Sequence, residues 1–305
     1  MKEIGAPPAL RALLWLPTPL RDLLAVLAAS GAWLLDRQGC RSTLMPLLRQ
    51  ALACGRLKAA ALSWRATFNA FQYWMDSAGV MFGPAGPTRR RGERSRFDGA
   101  PGLHEALAGG RGALLAASFH ACFYFALLTR FEAPYQAFNQ LPLHLVLPRR
   151  DAMLMAFIER IAALGGRRCG LIVMGDAAAA VQLSKALKRG ELVLCMVDSV
   201  PDGAAVSLVT MFGRPTLLPA GFLMMASRLR APVLTCHTER SGGAFVTRLS
   251  APLWPAEDDG GAALGDALAA ALEHNVRRRP GAWNSWLSLR QRWQMAADLT
   301  LQPES

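Results

Sequence analysis

The chain has 305 residues, 52% of them hydrophobic and 18% charged, with a formal net charge of +12 carried mostly by arginine. No run approaches the roughly 20 apolar residues that a spanning helix needs; the best, 23 to 35, is bracketed by Arg21, Asp36 and Arg37. No signal-peptide arrangement opens the chain, so a cytoplasmic protein is expected, with peripheral contact at the inner membrane surface left open. The basic balance favours anionic partners such as a lipid surface or an acidic carrier protein, although arginine and alanine codon usage alone gives the same composition. Without a zinc finger, an RNA-recognition signature or a long basic helix, no nucleic acid partner is expected.

Residues 8 to 82 repeat leucine at helical spacing, as in Leu10, Leu13, Leu14 and then Leu20, Leu23, Leu24, Leu27. Pro17 and Pro19 separate the first helix from the second. This predicts an N-terminal helical cap over 1–82, either an ordinary subdomain packed on the core or a surface for acyl chains or membrane. Residues 83–99 read as a Gly/Pro/Arg linker, because Gly83, Pro84, Gly86 and Pro87 punctuate and Arg89, Arg90, Arg91, Arg94 and Arg96 follow. Those arginines are either solvated or placed to grip phosphate or carboxylate, which the guanidinium fork binds bidentately.

From residue 100 the pattern alternates, and 100–305 reads as one integrated α/β core. Helices are predicted at 101–109, from the His120 turn to about 130, and at 151–164, 176–189, 218–229 and 261–278. Strands are predicted at 112–117, 140–147, 170–173, 191–197, 206–212, 232–237 and 243–249. Apolar strands alternating with helices predict an α/β fold: a central, mostly parallel sheet flanked by helices, with the helical cap in front.

Ser118 to Phe125 carries the first site. His120 follows a buried strand, a common way to aim a base into a cleft, yet the turn after it is uncharged. None of the six cysteines forms a CxxC pair, so no metal site is expected. Cys122 stands apart from the others because it neighbours His120. His237 ends a strand beside Glu239 and Arg240 and reads as a core or rim histidine that can lie near the same face. His104, His144 and His274 read as peripheral.

Four blocks taken together resemble the lysophospholipid acyltransferase superfamily, in the branch of the bacterial lipid A late acyltransferases and mannoside acyltransferases. They are Gly109 to Gly112 leading to His120; Leu192 to Asp198; Phe212, Gly213, Arg214, Pro215 with Pro219, Ala220 and Gly221; and Arg277 to Pro280 with Trp283 and Trp286. The resemblance spans about residues 10 to 295. It implies a glycerolipid acyltransferase-like fold and transfer of an acyl group from an acyl carrier protein or acyl-CoA thioester. The donor's phosphopantetheine arm is then a co-substrate, and no resident cofactor is implied. The family's base is a histidine followed after four residues by an acid that orients and charge-stabilises it. Here the histidine is His120, but the acid position is Phe125, and Cys122, Phe123 and Tyr124 replace the usual interior residues.

Three readings of that departure are open. His120 remains the base, served by a carboxylate from elsewhere, Asp198 first and Asp176 second, with an acceptor easier to activate than an alkyl hydroxyl. Alternatively, Cys122 is the nucleophile and takes the acyl group as a thioester. In the third, the protein is a silent relative that binds an acyl chain or a carrier protein. The expected substrate-binding residues are Tyr124, Phe125, Phe212, Gly213 and Arg214, the last to hold a phosphate or pantetheine group. Lipid A itself is not the expected acceptor; a small molecule or lipid of specialised metabolism fits the departure better.

Overall fold

A computed structural model describes residues 7–120, 123–174, 176–200, 203–256 and 261–301. Four helices come first: α1 (Pro8–Trp15), α2 (Thr18–Leu34), α3 (Leu44–Leu52) and α4 (Arg56–Phe82). Pro17 caps α2, as the proline spacing predicts. The segment expected as a linker is largely ordered instead, as α5 (Ala85–Glu93) and β1 (Arg96–Asp98). The reason is local: Gly83 and Pro84 punctuate the end of α4, and the arginines beyond them tolerate a short helix whose last turn they favour electrostatically.

The remaining elements are α6 (Ala100–Leu107), β2 (Ala113–Ala117), β3 (Leu143–Leu147), α7 (Ala152–Gly165), β4 (Cys169–Val173), α8 (Ala179–Lys188), β5 (Leu192–Met196), β6 (Val206–Met211) and β7 (Arg214–Pro219). After these come α9 (Ala220–Leu229), β8 (Val233–Ser241), β9 (Ala244–Leu249), α10 (Ala262–Arg278) and α11 (Trp286–Leu301). Seven strands form one sheet in the order β1-β9-β8-β2-β5-β3-β4, and β6 and β7 form a separate hairpin. Only β8 and β9 pair antiparallel in the large sheet. All five residues of β2 are buried, as a central strand covered on both faces requires.

β2 lies between β5 and β8, so the C-terminal ends of these three parallel strands open on one spot. The chain after β2 reaches Ser118 to His120, the chain after β5 reaches Asp198, and the second half of β8 carries His237 and Glu239. Ligand sites of open α/β sheets gather at such ends. α4 packs on the short turn Pro280–Ala282, and Gly281 sits close enough to Arg65 that an added Cβ would displace that side chain. This contact holds the cap over the strand ends. No helix among the described residues is long and apolar enough to cross a membrane.

Candidate functional site

His120 is fully buried. Its backbone is fixed on every side: the His120 N–H donates to Ser118 O at 2.8 Å, the Phe119 N–H to Asp198 Oδ2 at 2.8 Å, and the Asn284 N–H to Phe119 O at 2.8 Å. Its ring is held through Nδ1, which lies 2.8 Å from Ser118 Oγ. Nε2 is buried and has no hydrogen-bond partner among the described residues. In the tautomer that leaves Nε2 free to accept a proton, Nδ1–H donates to Ser118 Oγ. Burial pushes His120 down to about 3; His237 and Arg279 add to this, while Glu239 pulls the other way. The imidazole is therefore neutral at ordinary pH.

Asp198 was the carboxylate expected to serve His120. It is buried beside it, but its Oδ2 accepts the Phe119 N–H and, at 2.6 Å, Trp283 Nε1–H. It makes no hydrogen bond to the imidazole, so its part is to anchor the residue before the histidine. Asp176, the second candidate, is spent in an ion pair with Arg150 at 2.6 Å, where Arg150 is exposed.

The carboxylate that His120 senses is Glu239 instead. His237 and Glu239 are both buried, two residues apart on β8 and so on one face of the strand. His237 Nε2 lies 3.2 Å from Glu239 Oε1, and the His237 and His120 ring centres are 5.2 Å apart. Nδ1 of His237 is buried without a partner among the described residues. Arg279 clamps Glu239 Oε2 at 2.8 Å, with Arg248 at 3.7 Å. Burial works to raise the Glu239 carboxyl, but the His237 hydrogen bond and the Arg279 charge outweigh it and bring the group down to about 2. From the sequence His237 reads as a core or rim histidine that can lie near the same face; the signal for the pair is a histidine and a glutamate at period two, and only the fold sets their strand beside that of His120.

The other expected residues are dispersed. Cys122 lies outside the described residues. Tyr124 and Phe125 fall in a short 3-10 turn, Phe123–Leu127, where a longer helix was expected. Tyr124 is buried against Phe123 and Phe157. Phe125 is 1% exposed and stacks on Phe245 with ring centres 4.2 Å apart, so the motif's acid position is a core aromatic. Phe212 and Gly213 form the β6–β7 turn, both at positive φ, rather than a strand-to-helix turn. Phe212 packs near Trp283 and Trp286. The structure does not bring Arg214 to His120: its guanidinium lies over Trp293, 4.7 Å from the ring centre, in a separate cavity shared with α3 and α11.

One cavity reaches the site at Glu239, and a second adjoins the first. The first, of about 580 Å³, is lined by Tyr73, Asp76, Glu239, Arg240 and Arg279. The other, of about 600 Å³, runs between the cap, α5 and the β8–β9 hairpin and shares Gln72, Asp76 and Arg240 with the first. Its walls carry Arg21, Arg90, Arg91, Arg94 and Arg240 against Asp22 and Asp76. Arg91 donates to Asp76 at 2.7 Å and lies 3.8 Å from the Phe245 ring centre. Burial lowers the pKa of Arg91, Asp76 opposes that, and the neighbouring Arg240 and Arg21 lower it further. Among the described residues, no group of three or more His, Cys, Asp or Glu is placed to hold a metal ion.

An α/β sheet delivering a buried histidine from its central strand, capped by helices and closed by a tryptophan pair, is the architecture that the four sequence blocks imply. Residues 153–295 match the bacterial lipid A biosynthesis acyltransferase family, which bears out the resemblance to the lipid A late acyltransferase branch. Three of the four blocks lie inside that match, and the block that carries His120 lies before it. The match supports acyl transfer as the general activity. No curated protein matches the chain.

Proposed function

We propose that the protein moves an acyl group from a coenzyme A or carrier-protein thioester to a small-molecule or lipid acceptor, with His120 Nε2 as general base. The observation that carries this reading is the buried, unpartnered Nε2 of His120 at the end of the central strand. A neutral imidazole held through its other nitrogen is ready to accept a proton. The acceptor's proton passes to Nε2 as its heteroatom bonds to the thioester carbonyl carbon. The tetrahedral intermediate then collapses, the C–S bond breaks, and the departing sulfur takes the proton back from the imidazolium.

The arginine-walled cavity supports the donor assignment, since five arginines against two aspartates leave it net positive toward a phosphate-bearing arm or an acidic carrier surface. The exposed leucines of α2, Leu23, Leu24 and Leu27, and Trp15 before it, support peripheral contact with an anionic membrane. With Phe125 at the motif's acid position, an acceptor easier to activate than an alkyl hydroxyl, such as an amine, thiol or enol, fits best, as does a place in specialised metabolism.

The zero exposure of His120 favours a second reading, a silent relative that binds an acyl chain or a carrier protein. Decanoyl-coenzyme A separates the two. The enzyme reading expects release of free coenzyme A thiol, with water or an added amine as acceptor, that disappears in His120→Ala. Binding of the thioester without turnover in the wild type would establish the silent reading.

A further inference from the structure

The position that supplies the family's acid is Phe125, locked against Phe245 in the core. Asp198 is committed to Phe119 and Trp283. A base that becomes an imidazolium in a buried site needs a counter-charge, and burying an uncompensated ion costs several kcal/mol. Among the described residues, Glu239 reaches toward His120 through an intervening ring, that of His237.

We propose that Glu239, acting through His237, replaces the missing motif acid, so that His120, His237 and Glu239 form the proton-handling unit of this site. This rests on the acyl-transfer reading and adds two residues to it. With Nε2–H of His237 donated to Glu239 Oε1, His237 Nδ1 is left with a lone pair. His120 Nε2 is likewise buried without a partner among the described residues, on a ring centred 5.2 Å away. Two adjacent buried acceptors lacking a donor are costly at rest. A proton delivered between them by the acceptor substrate satisfies both. Once His120 has taken that proton, its charge is balanced by the carboxylate at the far end of the unit. His237 orients and transmits, and Glu239 supplies the charge. Arg279 and Arg248 hold Glu239 ionised and in place.

The charged groups around His237 set its sign of action. They are Glu239 on its own strand, Arg248 across from it on β9, Arg279 after α10, His120 after β2, and Asp76 and Arg65 of α4 across the adjoining cavity. Protonation of His237 would place a like charge beside the forming His120 imidazolium and slow the reaction.

The test measures thiol release from decanoyl-coenzyme A by His237→Gln, Glu239→Gln and Glu239→Asp, with His120→Ala alongside and folding checked by circular dichroism. Arg279, which Glu239→Gln would leave unpaired, is 54% exposed and can return to water, so that variant should fold. The expected result is a loss in kcat of about tenfold to hundredfold in both glutamine variants, smaller than the ~10²–10⁴ of a general base itself because both residues act through His120. KM should stay near the wild-type value, and Glu239→Asp should recover part of the rate. Wild-type kcat in the folded glutamine variants, with His120→Ala inactive, would overturn the relay while leaving His120 as base. Full activity in His120→Ala would overturn the base reading itself.

Discussion

Asp198 Oδ2 accepts the backbone N–H of Phe119 at 2.8 Å, the residue immediately before His120. The same oxygen accepts Trp283 Nε1–H at 2.6 Å. One buried carboxylate thus ties the end of β5, the turn after β2 and the segment before α11 into a single knot. Its function is placement, and the account gives it no proton to move.

That assignment has a pH consequence. Burial raises the Asp198 carboxyl above its ordinary 3.8, against the pull of Phe119, Arg292, Trp283 and Ser285. A raised pKa in the folded state means that the native protein holds its proton longer than the unfolded chain. Stability is favoured below 3.8 and is lost as pH rises through the folded value. Asp198→Asn keeps an oxygen for the two N–H donors and removes this slope. Urea melts of both proteins across that range should show the wild type losing stability relative to the variant as pH rises. Asp198→Ala, which orphans both donors, should cost about 2–5 kcal/mol.

Glu239 gives the opposite slope. Its folded value of about 2 lies below its ordinary 4.5, so its contribution is complete above 4.5 and is lost as pH falls toward about 2. The stability difference between wild type and Glu239→Gln should shrink over that window. A constant difference would mean that the carboxylate is not held by His237 and Arg279.

Gly112 opens the strand that delivers His120. A Cβ there would land on the backbone carbonyl oxygen of Glu191, in the neighbouring chain segment that enters β5. Gly112→Ala should destabilise the fold by about 1–3 kcal/mol through overpacking and lower activity in proportion to the folded fraction, read by thermal melting and thiol release together.

Cysteine labelling separates the base reading from the covalent one. Burial pushes the thiols of Cys169, Cys195 and Cys236 up to about 12, so these three should resist iodoacetamide in the native protein at neutral pH. With decanoyl-coenzyme A, the base reading expects no acyl adduct by intact mass and near wild-type turnover in Cys122→Ala. An adduct that maps to Cys122 and is lost in that variant would establish the nucleophile reading in its place.

Membrane contact through α2 makes a further prediction. Sedimentation with anionic vesicles should weaken in high salt and in Leu23→Ser/Leu27→Ser, whose side chains are exposed, with no change in melting temperature. Binding that ignores both salt and the double substitution contradicts it.

Much of the sheet is legible in the sequence, because β2 and β5 are unbroken apolar runs of the kind that strands inside a covered sheet require. β7 is not, since Pro215 and Pro219 read as breakers; in a two-stranded hairpin a missing N–H is tolerated. The helix expected after His120 stops as a 3-10 turn because residues 123 to 127 are all buried and offer no polar face to solvent. α11 escapes because its apolar stripe is interrupted by Arg290, Arg292 and Gln294. Arg292 is nonetheless buried and donates to Leu217 O at 3.2 Å. His120 was legible from its strand. His237 and Glu239 were not, because their importance depends on β8 lying beside β2, and pairing order is a tertiary fact that one strand's residues do not carry. Arg214 shows the converse: it fits a sequence block, yet a tight turn points it toward Trp293 and away from the base.

The central claim is that His120 Nε2 accepts the proton of the attacking group. The direct measurement is single-turnover release of thiol from decanoyl-coenzyme A by wild type and His120→Ala, matched for folding by circular dichroism. The account predicts a loss of about 10²–10⁴ in the chemical step with thioester binding retained. Equal rates in the two proteins would contradict it.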